Sequence, residues 1–488
     1  MENAIMLQAF EWNTPGGNYF RRLGEAAPAL AKAGFNAVWL PPVCKGMSPF
    51  DVGYGIYDLW DLGEFDQKGG VPTKYGTKEE LLTCIRQLHD HDIRVYADVV
   101  LNHKAGADFA ETFQAVKVSP DNRLEDAGPA TEIEGWTGFN FPGRDGRYSD
   151  FTWHAHHFTG VDYDNRTGET AIYRIIGEGK YWAGAVSKEN GNFDYLMFAN
   201  IDHRHPEVRD EIFRWVEWFV GETGVDGFRL DAVKHIDADF IRDLCAFCEE
   251  KFGHDFYLFG EYWVADADRN EDYLAHTEHR VDIFDVRLHY NLQTAADNPN
   301  YDLRQIFAGT VTGDSPLSSV TFVDNHDSQP GQSLSSWVNP DFKERAYALI
   351  LLRRDGYPCI FAGDYFGLAD QDGANAIPER IERLMLLRRT FAYGDEEDLF
   401  HDADCIGWIR HGNEAHPDKC VVVISRSNEG RIVANLGPSC AGRTFIDYTG
   451  NYYGTVVLNE NGEGTFPVPP AGISCWAETG REDMFFKQ

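Results

Sequence analysis

The chain has 488 residues, 43% of them hydrophobic, and a formal net charge of −34. That length and composition predict two or three globular domains with ample core and exclude a disordered chain. So acidic a surface excludes nucleic acid and anionic membrane as partners; a neutral ligand is indifferent to it, and solubility accounts for most of the charge.

The segment from Met1 to Phe10 carries no basic region and no long apolar region before a small-residue cleavage site. It reads as the start of a strand rather than a secretory signal. No apolar run is long enough to span a bilayer. The nine cysteines lack disulfide-like spacing. Cys245 and Cys248 form a C-x-x-C without a second pair, inside an apolar-periodic helical stretch, and read as buried free thiols. These features predict a cytoplasmic, reducing compartment; a chain trimmed of a leader would instead be secreted.

Short apolar runs rich in β-formers recur along the chain. They are Ile5 to Phe10, Phe35 to Pro42, Arg94 to Val100, Gly227 to Asp231, Phe256 to Glu261, Val281 to Phe284, Val320 to Asp324 and Tyr357 to Phe361. Their character is that of buried parallel strands. Between them, Tyr19 to Ala33, Lys78 to His89, Pro206 to Gly221 and Phe342 to Arg353 carry apolar residues three and four apart, the helical period. Pro206 suits a first helical turn. Eight strands alternating with helices predict an α/β fold, a (β/α)₈ TIM barrel. A doubly wound open sheet is the competitor, but it would normally show a Gly-rich phosphate loop after an early strand, and none is present.

One connection, from Asn102 to about Ile201, is too long for a structureless loop and has no helical period. It predicts an inserted β-rich subdomain after strand 3. Beyond about Tyr393, Cys420 to Ile424, Arg431 to Val433 and Thr455 to Leu458 are short strands among Gly, Asn and Pro. They predict a C-terminal antiparallel β-sandwich. The expected division is residues 1–103 and 202–392 for the barrel, 104–201 for the insert and 393–488 for the sandwich.

In such a barrel, polar residues at the C-terminal strand ends face the active site. The third strand ends Asp98-Val-Val-Leu-Asn-His103. The fourth ends Arg229-Leu-Asp231, followed by Lys234 and His235. The fifth ends Glu261-Tyr-Trp263 and the seventh Asp324-Asn-His-Asp327. A single acid at a strand end is as often a helix N-cap or an ion-pair partner. Four polar strand ends on one face are harder to explain structurally. Converging carboxylates either bind a hard cation or perform acid/base work on a glycosidic bond. Arg229, two residues before Asp231, points to the same side of the strand and keeps that aspartate ionised, which favours Asp231 as nucleophile. Glu261, beside Tyr262 and Trp263, has apolar neighbours that would retain a proton, as a general acid requires. The aromatic content of 14%, with 12 Trp, suits stacking on sugar faces.

These four segments, in this order and spacing, resemble the four signature regions of the α-amylase family. Met6-Leu-Gln-Ala-Phe-Glu-Trp12, Asp51-Val-Gly-Tyr-Gly-Ile-Tyr57 and Asn192-Phe-Asp-Tyr-Leu-Met197 are similar to its bacterial liquefying and intracellular members. The resemblance covers essentially the whole chain. It implies endo-acting, retaining hydrolysis of α-1,4-glucosidic bonds in starch, glycogen and maltooligosaccharides. Asp231 would be the nucleophile, Glu261 the acid/base and Asp327 a third carboxylate gripping sugar hydroxyls. It further implies Arg229 as partner of the nucleophile, His103 and His326 as hydrogen-bond donors to the sugar and Tyr54 as a stacking platform. Lys234 and His235 would contact the leaving-group side, with Trp263 also among the substrate-binding residues.

The family also implies a structural calcium ion between barrel and insert. Asn102, Asp194, Asn200 and the backbone carbonyl of His235 stand at matching positions. Ala183, Asn200 and Thr159 stand where the nearest relatives carry acids. Fewer charged oxygens predict at most one calcium and no multi-metal cluster. The remaining expectations are an α-glucan as substrate and a monomer that binds neither nucleic acid nor membrane. An α-glucan transglycosylase using the same residues is the alternative reading. A non-catalytic carbohydrate-binding module is disfavoured because all three carboxylates are present.

Overall fold

The computed structural model describes residues 3–371 and 375–486. Eight parallel strands close into a barrel: β1 (Met6–Gln8), β2 (Ala37–Leu40), β3 (Arg94–Val99), β4 (Gly227–Leu230), β5 (Tyr257–Gly260), β6 (Asp282–Phe284), β7 (Ser319–Phe322) and β8 (Tyr357–Phe361). Each pairs with its neighbour in the chain, and Met6 closes the ring by pairing with both Ala37 and Cys359. Seven of the eight fall within the runs read as strands, and the seventh strand begins one residue before its run, at Ser319. Trp39, Phe259 and Phe284 contact one another across the interior at ring separations of 5.4–6.2 Å, so the barrel is filled and not a pore.

Eight helices follow the strands: α1 (Tyr19–Ala33), α2 (Lys78–His89), α3 (Pro206–Thr223), α4 (Ala238–Phe252), α5 (Ala267–His276), α6 (Val286–Asp297), α7 (Pro340–Leu351) and α8 (Pro378–Phe391). Local chemistry sets their ends. Thr77 and Glu80 form a reciprocal capping box at the start of α2. Pro206 opens α3, where its missing N–H costs nothing, and Gly224 ends it with φ of 70°.

Between β3 and α3 the chain forms a six-stranded sheet. Its order is His103–Lys104, Ala199–Ile201, Phe158–Asp164, Glu169–Ile175, Phe109–Lys117 and Thr131–Gly138. The first two segments leave and re-enter the barrel side by side, with Asn200 opposite His103. After α8 comes a second six-stranded sheet and a two-stranded one, Gly430–Asn435 with Glu463–Val468, packed through Phe445, Phe466 and Trp476. All nine cysteines are buried and unpaired. Among the described residues no helix is long and apolar enough to cross a membrane.

Candidate active site

The site is built at the C-terminal ends of β3, β4, β5 and β7. Register brings Arg229 opposite Asp98 and Leu230 opposite Gly260, so the next residues, Asp231 and Glu261, emerge side by side. The ladder continues one step beyond the strands, with Asp231 N–H donating to Val99 and Glu261 N–H to Leu230. Ala232 then adopts a left-handed conformation, φ 50°, which turns the chain sharply and brings its N–H 3.3 Å from Glu261 Oε2.

One guanidinium organises the carboxylates. Arg229 is fully buried and donates from Nη1 to both oxygens of Asp98 (2.9 and 3.1 Å) and to Asp231 Oδ1 (2.7 Å). Its Nη2 donates to Glu261 Oε2 at 2.6 Å. Burial opposes its charge, but Asp98 and Glu261 hold it well above its ordinary range. The sequence predicted Arg229 beside Asp231; the structure adds Asp98 and Glu261 to the same group.

Burial pushes Glu261 up to about 7; Arg229 opposes that shift, while Asp231 and Asp327 add to it. Asp231 is raised by burial to about 6, held down by Arg229 and pushed up by Asp98 and Asp327. Asp327 is raised to about 6 by burial against the pull of Arg229. The aromatic neighbours expected to keep Glu261 protonated are corrected in part. Tyr262 points away and stacks on Tyr273 at 4.2 Å, because successive residues leaving a strand face opposite sides. Trp263 does line the cleft, with its Nε1 donating to the Tyr290 hydroxyl at 3.1 Å.

A cavity of about 290 Å³ opens over these groups. Asp231, Glu261, Asp327, Tyr54, His103, Lys234, His235, Trp263 and His326 all line it, and Arg229 lies beneath. Larger cavities lie elsewhere among the described residues, but this one gathers the carboxylates. His326 accepts from the Gln8 amide at Nδ1 (3.0 Å), so its proton is on Nε2, 3.3 Å from Asp327. Burial and the nearby Arg229 lower it to about 3, so it is a neutral donor facing the cleft. His103 differs. Its Nδ1 accepts from Asn102 (3.2 Å) and its Nε2 donates to the Tyr54 carbonyl (2.7 Å), so both nitrogens already have protein partners. Tyr54 stacks on His326 at 5.2 Å and 7°, with its hydroxyl on Asp98. Lys234 Nζ reaches Glu189 and the Trp263 carbonyl, and His235 Nδ1 faces the Phe193 carbonyl at 2.7 Å.

Sequence reasoning missed Trp12, whose ring lies parallel to both Tyr54 (6.0 Å) and His326 (6.1 Å), and Gln8, which sets the His326 tautomer. Both lie in the first motif, which carried no assigned role. Asp324, at a strand end, does not join the cleft; it turns to Lys343 at 2.8 Å and accepts from Ser328.

Beside the cleft, the four residues expected to bind metal lie near the junction of barrel and insert. The Ala183 N–H donates to the Asp194 carboxylate at 3.1 Å, and Asn200 Nδ2 donates to the Thr159 hydroxyl at 2.8 Å. Asn102 lies across from them, its carbonyl accepting from Ile201. The side-chain oxygens of Asn102 and Asn200 are buried and have no hydrogen-bond partner. Orphaned buried oxygens around a buried carboxylate fit a hard cation. Asp202 is already paired with Lys180 (2.7 Å) and Arg204 (3.1 Å).

A catalytic-domain model described as "Alpha amylase, catalytic domain" matches residues 26–398, and an α-amylase C-terminal model matches residues 421–477. The chain belongs to the α-amylase family. It is accordingly a retaining glycoside hydrolase acting on α-1,4-glucans. It is 45% identical to a glucan 1,4-α-maltohexaosidase from Bacillus sp. (strain 707), over 97% of this chain and 92% of that one. It is 41% identical to the cytoplasmic α-amylase of Escherichia coli, over 98% and 99%. Among solved structures, the α-amylase of Geobacillus thermoleovorans complexed with acarbose superimposes with a TM-score of 0.67, covering 98% of both chains at 18% identity.

Proposed function

We propose that this enzyme cleaves internal α-1,4 bonds of starch-like glucans with Asp231 as nucleophile, Glu261 as acid/base and Asp327 as the carboxylate that grips the sugar. The observation that carries this reading is the single Arg229 guanidinium shared by Asp231 and Glu261. Both carboxyl groups lie within 2.7 Å of the same guanidinium, which supports the short separation, about 5–5.5 Å, of retaining pairs. Glu261 keeps its proton to higher pH than Asp231, which is the division of labour needed.

In the first step Asp231 attacks the anomeric carbon, the bond to the leaving oxygen breaks, and that oxygen takes the Glu261 proton. In the second, water gives its proton to Glu261 and displaces Asp231 from the sugar. His326 donates Nε2–H to the sugar from a neutral ring, and Tyr54, backed by Trp12, offers a stacking face. His103, its donor already on Tyr54, fixes that loop as it lines the subsite. Lys234, His235 and Trp263 contact the leaving-group side.

The division into barrel (1–103 and 202–392), insert (104–201) and C-terminal sandwich (393–488) is part of the same reading. So is one calcium ion held by Asn102, Asp194, Asn200 and the His235 carbonyl; bound there, it would supply charge that fastens the insert to the barrel. A cytoplasmic, monomeric enzyme without nucleic-acid or membrane partners fits the acidic surface and buried free thiols.

Digestion of soluble starch tests the proposal. The expected result is fast loss of iodine colour with few new reducing ends, and Asp231→Asn without measurable turnover but with a native fold. A near-normal rate in Asp231→Asn sinks the nucleophile assignment. Lengthening of short maltooligosaccharides without loss of starch establishes the transglycosylase instead.

A further inference from the structure

Three imidazoles and a carboxylate meet on the flank of the molecule, away from the cleft. His156 and His157 belong to a 3₁₀ turn in the inserted segment, Ala155–His157. His205 caps α3, and Glu207 lies in its first turn. One ligating atom from each of the four lies within 4.8 Å of the others. The rings of His156 and His157 are 3.9 Å apart, and those of His157 and His205 are 5.0 Å apart.

The hydrogen bonds assign roles within the cluster. His157 Nδ1 accepts from the His154 N–H at 3.0 Å, so its proton sits on Nε2, which donates to Glu207 Oε2 at 3.1 Å. With both nitrogens engaged, His157 holds the carboxylate rather than offering a lone pair. His205 is the opposite case: its Nδ1 is buried and has no hydrogen-bond partner. An orphaned ring nitrogen beside a second imidazole and a braced carboxylate is what a metal ligand set requires. Burial, then the neighbouring His205 and His154, lowers His156 and favours its ligating, neutral form.

We propose that His156, His205 and Glu207 bind one divalent transition-metal ion of the zinc class, with His157 as a positioning residue that braces Glu207. Two imidazoles and a carboxylate match a tetrahedral zinc set whose fourth position is water. Nitrogen donors select against calcium and magnesium. The N-terminus of α3 opposes a cation through its dipole, and Glu207 offsets that with its charge. The ligands come from the insert and from a barrel helix, so the ion staples the two together. An adjoining cavity of about 720 Å³, lined in part by Asp150, His154 and Asp210, leaves the water position open to solvent.

Titration calorimetry of the calcium-loaded enzyme with zinc, and cobalt(II) absorption spectroscopy, test the site. The expected result is one zinc per chain, unaffected by excess calcium, a zinc-dependent rise in Tm, and the visible bands of tetrahedral cobalt. His156→Ala and Glu207→Gln, both at exposed positions, should weaken zinc by at least about tenfold and abolish the Tm rise. His157→Phe should weaken binding less and shift the cobalt bands rather than remove them. Absence of saturable zinc binding overturns the proposal. So does equal affinity in the parent and both variants, which places the metal elsewhere, or displacement of zinc by calcium.

Discussion

At the scale of single residues, the catalytic pair sets the pH response. Cleavage needs Asp231 ionised and Glu261 protonated. Asp231 stands at about 6 and Glu261 at about 7, and the two titrate as a pair. The rate should therefore fall as pH drops below about 6, where Asp231 takes up a proton, and fall as pH rises above about 7, where Glu261 loses its own. A kcat/KM profile on a maltooligosaccharide checks both limbs; a basic limb unchanged in Glu261→Gln would remove Glu261 as its source. That variant should lose about 10²–10⁴-fold on starch but far less on glycosides with good leaving groups, which need little acid assistance. The carboxylates were legible in the sequence because each sits in a local motif at a strand end. Gln8 and Trp12 were not, because their partner His326 is more than 300 residues away and no periodicity links them. Tyr262 was misread for a different reason: adjacency in sequence at a strand end means opposite faces in space.

At the scale of elements, β7 reaches the site through a buried ion cluster. Lys343 on α7 is paired with Asp324 and Asp364, all three without solvent exposure. Asp324 in turn accepts from Ser328, and Asn325 accepts the N–H groups of Asp327 and Ser328, which shapes the turn that presents His326 and Asp327. Lys343→Met leaves two buried carboxylates without a cation. It should cost about 3–5 kcal/mol, read from the denaturation midpoint. Activity should fall with it, although the substituted side chain would lie outside the cleft; unchanged stability would mean that the cluster is not what braces this turn. Strands and helices of the barrel were legible because burial on both strand faces and a 3.6-residue helical period leave strong patterns. The sheet of the insert was legible only as β-rich. Phe109–Lys117 pairs with Thr131–Gly138; on the second strand the buried positions alternate as Ile133, Gly135 and Thr137, but only the first of these is a large apolar residue, so the alternation of burial leaves no alternation of hydrophobicity to fix register in advance.

At the scale of the whole molecule, the junction between insert and barrel carries the site, since the cleft draws residues from both. A calcium-selective chelator should lower Tm and activity together, and calcium but not magnesium should restore both. An ion at a hundred times its Kd contributes about 2.7 kcal/mol, a shift well within reach of calorimetry. A Tm indifferent to the chelator would mean that Ala183, Thr159 and Asn200 have removed the site.

The buried, unpaired cysteines give this molecule a built-in set of clocks. Cys44, Cys84, Cys245, Cys248 and Cys359 belong to the barrel, and Cys405, Cys420, Cys440 and Cys475 to the C-terminal β-rich region, while the segment between β3 and α3 has none. Buried thiols react with an alkylating reagent only when the surrounding structure opens. Pulsed alkylation followed by peptide mass mapping therefore times the opening of barrel and sandwich separately in one native sample, with no engineered label.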